Sequence, residues 1–149
     1  MRISGLLSEK TISRLTRTDK QGVIEELLDL AMNSGQVHDR EEALRAILAR
    51  EALMSTGLEK GIAVPHAKTR AVSEITMALG VSEGGVDFHS ADGKPSYIFF
   101  FLLAPENAAG PNVQVLAQIA RLTHDRSFCE DLRKAESPAG MLAVINDAE

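Results

Sequence analysis

"SYIFFFLLAP", Ser96 to Pro105, is apolar without interruption from Tyr97 to Ala104, β-prone, and closed by a proline. A strand with no polar alternation has no face to give to water, so this stretch predicts a central strand covered on both sides. Helices in two layers supply such cover. Just upstream, "EITMALGV" sets Ile75, Met77, Leu79 and Val81 in alternation with small or polar residues, the pattern of a half-buried strand. Between the two lies "SEGGVDFHSADGKP", a turn-rich piece that reads as a hairpin or loop with Asp92 and Gly93 at its tip. A hairpin makes neighbouring strands antiparallel, so the sheet is expected to be mixed rather than all parallel.

Helices flank this core on both sides in the chain. In "TDKQGVIEELLDLAMNSG", Val23, Ile24, Leu27, Leu28 and Ala31 recur at helical spacing, with Thr18 and Gln21 as a capping box and Gly35 as the stop. Asp39 and Glu42 repeat the cap arrangement before the stripe Ala43, Leu44, Ile47 and Leu48, and Arg50 closes that helix, where a cation suits the dipole. Beyond the apolar strand, Pro111 suits a helix start, and Val113, Leu116, Ala117, Ala120 and Leu122 carry the helix to about His124. Two shorter helices follow, "RSFCEDLRKA" and "SPAGMLAVIND", the second capped by Ser137 with Pro138 at its first position. The expectation is one α/β domain over residues 1–149, a mixed β-sheet sandwiched between layers of α-helices.

Composition narrows the function. A chain of 149 residues buries one ordinary core. Its formal net charge of −5 and the lack of any run of Lys and Arg argue against nucleic acid, and without Trp stacking platforms for single strands are unexpected. No apolar run is long enough to cross a bilayer, and "MRISGLLSEK" lacks the form of a secretory signal, so a cytoplasmic protein without membrane insertion is predicted. The single Cys129 forms no internal disulfide and reads as core filler.

Candidate chemistry centres on "GIAVPHAKT", Gly61 to Thr69, read as a loop. Pro65 fixes its own φ and pushes Val64 to extended geometry, so the backbone into His66 is stiff and the side chain aimed. Imidazole near neutral pH offers a nucleophilic nitrogen for phosphoryl or proton transfer. A histidine in a short loop is more often a hydrogen-bonded surface or core residue.

The longer stretch "REALMSTGLEKGIAVPHAKT", Arg50 to Thr69, resembles the active-site signature of the fructose/mannitol-type enzyme IIA family of the bacterial phosphoenolpyruvate-dependent phosphotransferase system, which includes the nitrogen-regulatory IIA proteins. Arg50 and Glu51 match its Arg-Glu pair, Ser55 to Gly57 its Ser/Thr-Thr-Gly element, and "GIAVPH" the stretch ending in the phosphorylated histidine. Lys20 with the helix after it, "GVDFHSADGKP", "FFFLLAPE" and "VQVLAQIARL" resemble further segments in the family order. The resemblance implies the family's fold, a mixed sheet sandwiched by helices. It also implies a transferase chemistry in which His66 accepts a phosphoryl group from the histidine phosphocarrier protein and passes it to a IIB partner.

Residue chemistry agrees with that role. Phosphoryl transfer is chiefly positioning and electrostatic stabilisation. Arg50 presents a donor fork that fits phosphate oxygens, or else caps its own helix. Ser55, Thr56 and Gly57 form either an anion nest or a simple turn. Transfer between two histidines needs no metal, so no cofactor is expected, and Lys68 reads as solvated.

Sugar-transport members usually carry a second histidine where this chain has Asn112. Asparagine donates to a phosphate oxygen but does not become cationic near neutral pH. His38, His89 and His124 do not substitute for it. Two readings follow: a phosphocarrier feeding sugar transport, or a regulatory binding module whose phosphorylation alters its grip on another protein. A metal-dependent hydrolase has little support, because the histidines are scattered and no carboxylate cluster accompanies them.

Overall fold

A computed structural model describes residues 2–108 and 110–149. The central element is β5 (Ser96–Ala104), buried along both faces. It runs antiparallel to β4 (Thr76–Val86), which lies parallel to β1 (Ile12–Arg14). On its other side β5 pairs in parallel with β2 (Ile62–Ala63) and then with β3 (His66–Lys68). The sheet is mixed, in the order β1-β4-β5-β2 with β3 continuing beside β5.

Pleating divides the apolar residues of β5 between two cores. Ile98, Phe100 and Leu102 join Met77, Leu79 and Val81 under α3 (Gly110–Thr123), α4 (Arg126–Lys134) and α5 (Pro138–Ala148). Phe99, Phe101 and Leu103 join Ala63, Ala67 and Ala78 under α1 (Lys20–Met32) and α2 (Arg40–Leu53). A sheet between helical layers is therefore what forms. Each fully buried phenylalanine contributes about 2–3 kcal/mol by removal from water.

Several local expectations change. The cap of α1 is Asp19, whose carboxylate accepts from the Gly22 N–H at 2.9 Å, and not Thr18 with Gln21. Asp39 does cap α2 by accepting from the Glu42 N–H at 3.2 Å, but the Glu42 side chain turns to Arg45 instead of closing the box. β4 is covered on both faces rather than half-buried, because small residues such as Ala78 lie under α1 and α2 while Met77, Leu79 and Val81 face the other way. It also runs on through "SEGGV", with a register irregularity between Val81 and Val86. Gly85, at φ +83°, would place a Cβ 2.8 Å from the Tyr97 ring, so the irregularity depends on a residue without one. Asp92 and Gly93 do form the tip of the β4–β5 connection, with the Gly93 N–H donating to the Ser90 carbonyl at 3.0 Å.

Three strands were invisible to periodicity. β1 is three residues long, and "GIAVPHAKT" is not a loop but two short strands parted by Pro65. Such pieces are too short to show a period and exist because β4 and β5 offer them partners.

Candidate functional site

The site grows from the end of α2. Ala43, Ile47 and Glu51 share the buried side of this helix, so the last of the three carries a carboxylate into the interior, where it is 8% exposed. Lys20 answers it with Nζ 2.9 Å from Oε2 and lies 4.7 Å above the centre of the Phe88 ring. The backbone N–H of Thr56 donates to both Glu51 carboxylate oxygens at 3.2 Å, and the Thr56 hydroxyl donates to Oε1. A buried carboxylate with a cation and such donors is fully satisfied.

That anchoring passes to the histidine through the backbone. The Thr56 carbonyl accepts from the Val64 N–H at 3.0 Å, and Gly57 bridges antiparallel to Ala63. Residues 56–58 thus lie along the outer edge of β2. Between them and the strand, Lys60 and Gly61 turn the chain with φ of 62° and 79°. Pro65 then offers its carbonyl to the Leu102 N–H at 3.0 Å, and β3 begins at His66, opposite Leu102. The imidazole is half-buried, with Nδ1 2.7 Å from the Val64 carbonyl. A carbonyl oxygen can only accept, so Nδ1 carries hydrogen and the lone pair sits on Nε2.

The other residues singled out by sequence each have contacts of their own. Arg50 donates from Nη1 to the Met54 carbonyl at 2.9 Å, capping its own helix. The Ser55 hydroxyl donates to the Phe88 carbonyl at 2.7 Å and accepts from the Gly57 N–H at 3.0 Å. A Cβ on Gly57 would stand 2.6 Å from the Ser90 hydroxyl oxygen, so glycine here admits the segment 88–90. Lys68 is exposed, and Asn112 is half-buried in the first turn of α3, with no hydrogen bond to His66 among the described residues. His38 pairs with the Ser73 hydroxyl at 3.1 Å, and His89 is an exposed residue with φ 54°. Leu53, Met54 and Leu58 are exposed at 83%, 72% and 47% beside the site, and Val113 is exposed in α3.

Sequence reasoning left the Lys20–Glu51–Thr56 network unread. The spacing of Ala43, Ile47 and Glu51 was the signal available, a glutamate continuing an apolar stripe. Among the described residues no group of three or more His, Cys, Asp or Glu is placed to hold a metal ion. Among them, too, no helix is long and apolar enough to cross a membrane.

The profile described as "Phosphoenolpyruvate-dependent sugar phosphotransferase system, EIIA 2" matches residues 5–148. The chain is 43% identical over 126 residues to the fructose-specific EIIA component of Haloferax volcanii, covering 85% of this chain and 82% of that protein. It is 35% identical over 147 residues to the fructose-specific EIIABC component of Bacillus subtilis, covering 98% of this chain but spanning 23% of that protein. Among solved structures, the nitrogen regulatory protein IIA-Ntr of Neisseria meningitidis superposes with a TM-score of 0.83 at 31% identity, over 96% of this chain and 98% of that one. The Escherichia coli complex of enzyme IIA-mannitol with phosphorylated enzyme IIB-mannitol shares the fold, with a TM-score of 0.81 at 22% identity over 95% and 97%.

Proposed function

The chain belongs to the EIIA 2 family of the phosphoenolpyruvate-dependent sugar phosphotransferase system, and from that premise we propose that it is a phosphocarrier whose His66 Nε2 accepts and releases the phosphoryl group. The observation that carries this reading is the 2.7 Å contact between Nδ1 and the Val64 carbonyl, which leaves Nε2 as the nucleophile. In the forward step the N–P bond of a phosphohistidine carrier protein breaks as the Nε2–P bond forms. The proton stays on Nδ1, donated to the Val64 carbonyl, and that oxygen supports the positive charge the ring acquires on phosphorylation. The second step reverses this chemistry towards a IIB partner, the kind of protein with which the mannitol relative was solved.

Arg50 stabilises the transferring group by turning its guanidinium from the Met54 carbonyl to the phosphoryl oxygens. Ser55, Thr56 and Gly57 are the remaining candidate phosphate contacts. Their present bonds to Phe88, Glu51 and one another must be exchanged for that, so Ser55 and Gly57, less buried in the network than Thr56, are the first to test. The exposed Leu53, Met54 and Leu58 suit a surface that meets protein partners in turn. No metal is required by this chemistry.

The test is incubation with phosphoenolpyruvate, enzyme I and the histidine phosphocarrier protein. Intact mass is expected to show one acid-labile phosphoryl group that is absent from His66→Ala; label retained in that variant overturns the assignment. A regulatory reading is favoured by the IIA-Ntr relative and by Asn112. There the phosphoryl state changes the grip on a target protein, and candidate IIB domains leave the label in place. Draining of the label by a IIB domain selects the transport reading.

A further inference from the structure

The far end of the same sheet holds a second concave site. Lys60, Lys94, Arg126 and Arg133 line a cavity of about 340 Å³, with Glu130 the one carboxylate among its lining residues. This is a local excess of positive charge in a chain whose formal net charge is −5. Among the described residues none of these four cations forms an ion pair. Like charges gathered on one concave face raise the local potential and favour an anion there.

The arrangement is also held in place. The Asp92 carboxylate accepts from the backbone N–H of Lys94 at 3.0 Å and of Lys60 at 3.2 Å, pinning both lysines from one point. Lys60 keeps a left-handed φ of 62°, a strained conformation for a residue with a side chain. The Arg133 guanidinium lies 3.8 Å from the centre of the Tyr97 ring. That ring fits because Gly61 and Gly85, both with positive φ, have no Cβ to place 3.0 Å and 2.8 Å from it. Arg126 opens α4, where the helix dipole disfavours a cation and favours an anion.

We propose that this cavity binds a small organic phosphate of the sugar-phosphate class. Two guanidinium forks and two ammonium groups match a phosphomonoester dianion. Ile98 and the half-buried Cys129 offer an apolar wall to the carbon skeleton. The volume lies within the roughly 300–1,000 Å³ usual for small-ligand sites. The site is distinct from His66: Ile98 pairs with Ile62, whereas His66 pairs with Leu102 four residues further along β5, about 13 Å at strand rise.

Isothermal titration of the full chain with glucose 6-phosphate, inorganic phosphate and glucose tests this, with Cys129 alkylation by iodoacetamide as a second readout. Glucose 6-phosphate is expected to bind at one site and slow alkylation, while glucose does neither. The exposed pair Lys94→Gln/Arg126→Gln is expected to weaken binding by at least about tenfold, since each substitution removes a charge-assisted contact. Absence of binding, equal binding of glucose or inorganic phosphate, or undiminished affinity in the double variant overturns the proposal. Phosphorylation of His66, measured in parallel, is expected unchanged in the double variant, which separates failure here from failure of the phosphocarrier reading.

Discussion

Lys20 and Glu51 are joined in the interior, yet neither touches His66, and their effect reaches it through Thr56 and Val64. Removing one partner of a buried pair strands the other. Lys20→Met is therefore expected to lower stability by about 3 kcal/mol, read by urea denaturation; a loss below about 1 kcal/mol would mean that water takes the place of the ammonium. Arg50→Lys separates two roles. Lysine can still reach the Met54 carbonyl, so folding should be unaffected, but without the guanidinium fork single-turnover transfer to His66 is expected to slow about tenfold. A wild-type rate confines Arg50 to its helix. His66 stood out as a candidate because Pro65 and the flanking motif are contiguous in the chain. The basic cavity was not, since Lys60, Lys94, Arg126 and Arg133 come from separate segments with no basic run to mark them.

The helices were legible almost to their ends, and their caps less so. Thr18 and Asp19 are both good capping residues, and propensity alone does not choose between neighbours. The choice falls to Asp19 because the Gly22 N–H points at its carboxylate. Asp19→Ala should cost about 1 kcal/mol in thermal or urea unfolding, and Thr18→Ala close to nothing. Equal losses would show that the helix start moves between them. β5 was legible as a strand buried on both faces because its apolar run allows nothing else, whereas β4 concealed its second buried face behind alanine and glycine. Small residues read as polar-side spacing in a sequence, but under a helix they let it approach. A glycine-to-alanine change at Gly80 would put a Cβ 2.6 Å from the Leu15 side chain, which must then shift.

At the scale of the molecule, one carboxylate ties distant parts together. Glu149 accepts from the backbone N–H groups of Ile3 and Ser4 at 2.9 and 3.0 Å and from Gln118 Nε2 at 2.6 Å, joining α5, the first residues and α3. Burial alone would raise this carboxyl, and the bonds from Gln118, Ser4 and Ile3 together outweigh it, so it stays below the ordinary glutamate value. A lowered carboxyl stabilises the fold above the ordinary value and loses that contribution as pH falls through the folded one. Glu149→Gln is expected to be less stable than wild type by about 1 kcal/mol at neutral pH, the gap closing in acid below the usual glutamate range. A gap that persists there would assign the effect to packing. None of these contacts was legible, because those to Ile3 and Ser4 span almost the whole chain and that to Gln118 crosses between two helices.

The two margins of the sheet carry a further consequence. β1 is three residues long, and at the opposite margin Thr56–Leu58 already occupies the backbone of β2 while Pro65 brings no N–H. An exposed strand margin recruits other chains, and both margins here are too short or already taken to do so. The proline that stiffens the approach to His66 thus also guards against self-templated aggregation, and the sheet ends in a closed border and never a raw seam.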